Sequence, residues 1–161
     1  MRKALLFSFL ALVLAACGGQ PYTATGLWQG YATNSSSPGD SVLVRFSLLD
    51  QNGALSGSHF AFINGTWTYI GSVQGNRSGQ DASWRVDGAN GYIQINGRFD
   101  GDRFTGSYFL VAYGSGSLSA NLSLSRQSTQ PSPSSLLTPE DTQTLSGSPL
   151  DVFHEFAKLG Q

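Results

Sequence analysis

The sequence predicts an all-β fold: an antiparallel eight-stranded meander closed as an up-and-down barrel, with a short C-terminal helix. Three observations carry this. Between residues 26 and 126, apolar and polar residues alternate with a period of two in eight successive runs. Tight Asn-Gly, Asp-Gly and Gly/Ser turns separate most of the runs, leaving little room for crossover helices. The chain of 161 residues holds 20 glycines and only 12% charged residues. Such a composition suits turn-rich β structure with Ser, Thr, Asn and Gln on its surface.

The first strand is Leu27 to Thr33, where Trp28, Gly30 and Ala32 oppose Leu27, Gln29 and Tyr31. A loop rich in turn residues, Asn34 to Asp40, follows. Ser41 to Leu49 places Val42, Val44, Phe46 and Leu48 on one face. Asn52-Gly53 accepts the positive φ of a primed turn, so Ala54 to Phe62 returns as its hairpin partner. Asn64-Gly65 turns again into Thr66 to Gln74, on which Trp67, Tyr69, Gly71 and Val73 align. After a polar turn come Asp81 to Asp87, with Ala82, Trp84 and Val86 on one side, and Tyr92 to Phe99, with Ile93, Ile95, Gly97 and Phe99. Arg103 to Tyr113 carries Phe104, Gly106, Tyr108, Leu110 and Ala112, and Ser117 to Arg126 carries Leu118, Ala120, Leu122 and Leu124. Closure removes exposed edges, and eight strands give an interior that side chains fill or that holds one small ligand. A faint echo supports the hairpins: residues 53–60 and 102–109 both run turn, apolar residue, hydroxyl, Gly-Ser, aromatic.

Ahead of the barrel, Arg2 and Lys3 precede an apolar run from Ala4 to Val13, then Leu14-Ala15-Ala16-Cys17. A basic start, a short apolar stretch and small residues form a secretory signal, too short to span a bilayer comfortably. With the only cysteine at its end, the pattern resembles the lipobox of bacterial lipoproteins. That resemblance implies residues 1–16 as signal peptide, cleavage between Ala16 and Cys17, and fatty acylation of Cys17. The membrane is then a partner through acyl chains, which together make a durable anchor. Gly18 and Gly19 follow instead of an Asp retention signal. The resemblance therefore implies the outer membrane in a two-membrane cell, and otherwise the outer face of the cell membrane. The sole thiol would be consumed by lipid, so the fold must stand without disulfides.

Residues 17–25 read as a lipidated tether, 26–126 as the barrel, 127–137 as a Ser/Pro-rich linker and 138–161 as a helical tail. Thr138-Pro139-Glu140-Asp141 is one candidate helix start. Ser148-Pro149-Leu150-Asp151 is a better one, with Ser at the cap, Pro in the first turn and an acid near the positive dipole end. Leu150, Phe153, Phe156 and Ala157 would share one face, which either docks on the barrel or offers a partner or membrane contact.

Without Arg2 and Lys3 the exported part carries seven basic and ten acidic side chains. It has no basic cluster, so nucleic acid is not an expected partner. Phosphate-loop, dinucleotide, zinc-helix and nucleophile-elbow motifs are missing from the sequence. His59 and His154 stand far apart, and Asp100-Gly101-Asp102 reads as a hairpin turn before a calcium site. No catalytic residue, metal or cofactor is implied, and a hydrolase ranks last among the functions. Trp28, Phe46, Trp67, Tyr69, Trp84, Phe104 and Tyr108 recur at alternating positions. They form either the barrel core or a pocket for a small apolar or sugar-like ligand.

Gly26-Leu27-Trp28 opening the first strand, with Asn52 to Ser58 after the second, resembles avidin-type and other calycin barrels over about the first three strands. This resemblance implies the fold. Trp67 and Trp84 do not fall where biotin-stacking tryptophans stand, so the ligand does not carry over. The expectation is a non-catalytic binding or structural envelope barrel, contacting an envelope protein; the alternative is a calycin-like carrier of a small apolar ligand.

Overall fold

The computed structural model describes residues 22–131 and 145–159. The leader, Cys17 and the Thr138–Asp141 helix start lie outside these residues. Eight strands follow one another: β1 (Gly26–Asn34), β2 (Ser41–Gln51), β3 (Ala54–Ile63), β4 (Thr66–Ser78), β5 (Asp81–Gly88), β6 (Gly91–Asp100), β7 (Arg103–Ala112) and β8 (Gly116–Ser128). Every neighbouring pair is antiparallel. The order β3-β2-β1-β8-β7-β6-β5-β4, with β3 also paired to β4, closes the ring. The expected meander barrel is therefore the observed fold. Asn52 and Asn64 have φ of 55° and 50°, with positive φ at Gly53 and Gly65, so both Asn-Gly pairs make the primed turns their chemistry favours.

Side chains alternate between a buried apolar interior and a polar exterior. Trp28, Ala32, Val42, Val44, Phe46, Leu48, Trp84, Val86, Ile93, Ile95, Phe99, Phe104, Tyr108 and Leu110 are all essentially inaccessible. Much of the exterior is hydroxyl and amide, with Ser83 paired to Asn96, Asn96 to Ser107, Ser107 to Asn121 and Asn121 to Thr33 around the wall, while Tyr31, Phe62 and Phe109 are exposed apolar exceptions.

Two strands depart from simple alternation: β8 near its end, where Leu27 faces Ser128 but Trp28 faces Arg126, and β4 in mid-strand. His59 faces Gly71, but Phe60 faces Tyr69, leaving Ile70 as an extra residue on β4. This bulge flips the phase of β4. Val73, Ile70 and Thr68 are buried, while Trp67 and Tyr69 sit on the outer wall, half-buried. The alignment of Trp67 and Tyr69 with Gly71 and Val73 is thus corrected. Trp67 stacks under the Arg45 guanidinium at 3.9 Å and meets Phe62 edge-on at 5.4 Å.

The chain after the barrel returns to it. Leu145–Ser146 forms β9, parallel to β4 at Thr68 and Tyr69. Pro149–Leu159 forms α1. Ser148 caps α1, and the Asp151 carboxylate accepts from the Ser148 amide at 2.7 Å and its hydroxyl at 2.8 Å. Helix α1 touches β2, β3, β6 and β7, strands on opposite sides of the ring, so it lies across one mouth. Val152 and Phe156 are buried in the core, and Leu150 and Phe153 pack beside them. The buried stripe therefore includes Val152, one turn before Phe156, which the expected face omitted. The helical period makes residues 152, 153 and 156 neighbours.

At the other mouth, the stretch read as the end of a tether is part of the fold. Ala24 is fully buried, and Tyr22 packs on Phe99 with ring centroids 5.8 Å apart. Likewise β8 runs two residues past Arg126 into the expected linker.

Candidate functional site

Two places concentrate the molecule's chemistry, the interior between the mouths and the mouth closed by Tyr22. In the interior the rings form one connected stack. Trp28 meets Phe99 at 4.9 Å, Phe99 meets Phe104 at 4.8 Å, and Phe104 meets Trp84 at 4.8 Å. Trp84 meets Phe46 edge-on at 5.6 Å, and Phe46 stacks on His59 at 4.2 Å, nearly parallel. These are packing distances of aromatic pairs in contact. A Cβ on Gly97 would stand 2.6 Å from the Phe104 ring, so glycine there makes room for the stack.

His59 and Tyr108 add a polar crosspiece. β3 and β7 lie four strands apart in either direction around the ring, and His59 Nε2 is 3.1 Å from the Tyr108 hydroxyl. The hydrogen bond therefore spans the barrel's diameter. His59 Nδ1 lies 3.2 Å from the Arg45 carbonyl, which can only accept. Nδ1 accordingly carries the proton, and Nε2 accepts from Tyr108. Both side chains are fully buried. Burial drives the His59 pKa from 6.5 down to about 3, against the smaller upward pull of the Arg45 carbonyl, and holds the Tyr108 phenol well above its usual range. The pair is neutral and satisfied.

Of the seven aromatics proposed as core or pocket, Trp28, Phe46, Trp84, Phe104 and Tyr108 meet inside. Trp67 and Tyr69 do not join them, because of the Ile70 bulge. Phe99 and His59 complete the cluster. The alternation of β6 had already placed Phe99 with Ile93 and Ile95. The His59–Tyr108 pairing was latent in the echo of residues 53–60 and 102–109, where the two occupy the same position. Trp84 Nε1 is buried without an acceptor among the described residues.

The Tyr22 mouth is built from charge. Asp50, with its side chain 1% exposed, accepts from the Ala24 amide at 2.9 Å, the Gly53 amide at 2.8 Å and Arg77 Nε at 2.6 Å. Burial raises its pKa, but these three donors together outweigh it and hold the carboxyl below its ordinary 3.8. Arg77 also donates to the Tyr22 carbonyl at 2.9 Å and to the Gly79 carbonyl. Arg126 lies over the Trp28 ring at 4.6 Å and donates to the Thr23 carbonyl at 2.9 Å and the Tyr22 hydroxyl at 3.2 Å. Its Nε is 3.1 Å from Asp102, an ion-pair contact without hydrogen-bond alignment. Tyr22 in turn donates to the Gly101 carbonyl at 3.1 Å, and Trp28 Nε1 to the Ala24 carbonyl at 2.8 Å. Tyr22, Thr23, Asp50, Asn52 and Arg77 line a cleft of about 140 Å³, below the few hundred Å³ of small-molecule sites. Its Asp50 and Arg77 side chains are already engaged with each other and with neighbouring backbone.

Asp100-Gly101-Asp102 makes the β6–β7 turn, and Asp102 faces Arg126. His154 is exposed on α1, against the ring of Phe153. Among the described residues no three His, Asp or Glu side chains gather as metal ligands. No family model matches the chain, and no curated protein or solved structure matches it either.

Proposed function

We propose that the protein is a lipid-anchored cell-envelope lipoprotein whose barrel is a non-catalytic binding or structural domain that works through its outer surface. The observation that carries this is a juxtaposition: a lipobox-like Leu14-Ala15-Ala16-Cys17 stands just ahead of a barrel with an apolar interior and a largely polar exterior that has no continuous apolar band among the described residues. Barrels that span membranes show the reverse, an apolar band outward. Ser83, Asn96, Ser107, Asn121, Ser123 and Ser125 are exposed on this wall and would be buried in lipid. Membrane attachment then falls to Cys17. The connected rings and the His59–Tyr108 crosspiece support a surface role over an interior carrier, since a ligand at that level would have to break the crosspiece.

The test is detergent phase partition of the protein expressed in a bacterium. The wild type enters the detergent phase with the membrane fraction. Cys17→Ser accumulates as an unprocessed precursor without lipid. Equal partition and processing of the two forms would overturn the anchor.

A further inference from the structure

We infer that the barrel stands on the membrane with its Tyr22 mouth facing the lipid headgroups and its helix-capped mouth facing away. The inference rests on acylation of Cys17 as proposed above and adds the orientation. Only the link from Cys17 to Tyr22 separates the lipid from the folded domain, and five residues reach at most about 18 Å. At Tyr22 the chain is seized: its hydroxyl, its carbonyl and its ring are all engaged, by Gly101, Arg77 and Phe99. The next residues are held by Arg126 and Asp50. The leash therefore cannot lengthen by peeling away from the barrel without breaking an ion-pair and ring cluster.

The height of the barrel decides which mouth the leash can bring down. A strand the length of β1, nine residues, rises about 30 Å, and barrel tilt reduces this to roughly 22 Å between the mouths. A leash of about 18 Å starting at the Tyr22 mouth holds that mouth near the bilayer. The rim there consists of Gln51-Asn52-Gly53, Gly79-Gln80 and Gly101-Asp102-Arg103, polar turns without an apolar wedge. Such a rim rests at headgroup depth and does not insert. The opposite rim, with α1 and the β7–β8 turn at Gly114 and Ser115, is left to face the envelope space.

The experiment uses the full lipidated protein in phosphatidylcholine vesicles carrying a headgroup-linked energy acceptor. A fluorophore is placed on Gln51→Cys, at the end of β2, or on Ser115→Cys, in the β7–β8 turn, both exposed and at opposite mouths. Energy transfer is expected to be severalfold stronger from position 51 than from position 115. Inserting about ten Gly/Ser residues between Gln20 and Pro21, a flexible extension, should bring the two values together without touching the barrel. Equal transfer in the uninserted protein, stronger transfer from position 115, or no response to the insertion would overturn the orientation. A lipid-free Cys17, seen as a second labelled thiol in the same preparation, would instead overturn the anchor reading and the orientation with it.

Discussion

At one mouth of this barrel, guanidinium, carboxylate and phenol groups hold residues Tyr22–Thr25 against the rim; at the other, Val152 and Phe156 of α1 press an apolar face into the core. Both devices shut a barrel end, yet they respond to different insults. The charged closure depends on pH and loses strength when one partner is neutralised. The helical closure depends on buried area and on a cap. Between them lies a core that also divides, with stacked rings toward Tyr22 and mostly aliphatic side chains toward the helix.

The largest effect should come from the ring stack. Phe99 touches Tyr22, Trp28, Trp84 and Phe104. Phe99→Ala is expected to cost about 3–5 kcal/mol in urea unfolding, and to loosen the Tyr22 mouth before the helical one, as hydrogen exchange would show. Equal loss of protection at both mouths would mean the core does not divide this way.

Next comes the charged closure. Asp50→Asn leaves Arg77 facing a neutral amide and should cost about 2–3 kcal/mol, below the fully buried case because Arg77 keeps carbonyl acceptors and some water. The wild type should lose this contribution in acid. A carboxyl with a folded pKa below 3.8 stabilises fully above 3.8, and the gain disappears as pH falls through the lower folded value. Asp50→Asn should not show that component.

The His59–Tyr108 crosspiece gives a separate acid signature that begins at higher pH than that of Asp50. Between pH 6.5 and about 3 the unfolded chain binds a proton at His59 that the folded chain refuses. Stability therefore falls as pH drops through that window, by up to about 1.4 kcal/mol per pH unit. Replacing both partners by Phe should flatten the dependence there while leaving the Asp50 component below it. Tyr108→Phe alone strands His59 Nε2 and should cost about 1–3 kcal/mol. A wild-type stability that is level from pH 6.5 to 4 would contradict the buried neutral histidine.

The smallest effect belongs to the helix cap. Asp151→Ala removes the bonds to Ser148 and should cost about 1 kcal/mol, visible as fraying of α1 in hydrogen exchange with the Tyr22 mouth unaffected.

These regions also differ in how much of them a reader could see in the chain alone. Strands and turns were legible, because period-two alternation and the Asn-Gly pairs are local signals. The cap at Ser148 was legible for the same reason. The Ile70 bulge was not: one extra residue leaves composition unchanged while moving Trp67 and Tyr69 to the outer wall. The Tyr22 mouth was invisible because its bonds join residues far apart, such as Arg126 to Thr23 and Arg77 to Tyr22. No periodicity connects such partners, so Gly18 to Thr25 reads only as a polar tether. The helix face was half legible: Phe153 and Phe156 follow from spacing, but burial of Val152 depends on which way α1 rolls across the mouth.

Whether Cys17 carries lipid decides whether the Tyr22 mouth is the membrane side. Mass spectrometry of the N-terminal peptide from the mature protein tests this most directly. The expected chain begins at Cys17 with diacylglyceryl on its sulfur and acyl on its amine. A chain that keeps residues 1–16, or begins at Cys17 with a free thiol, would contradict the anchor.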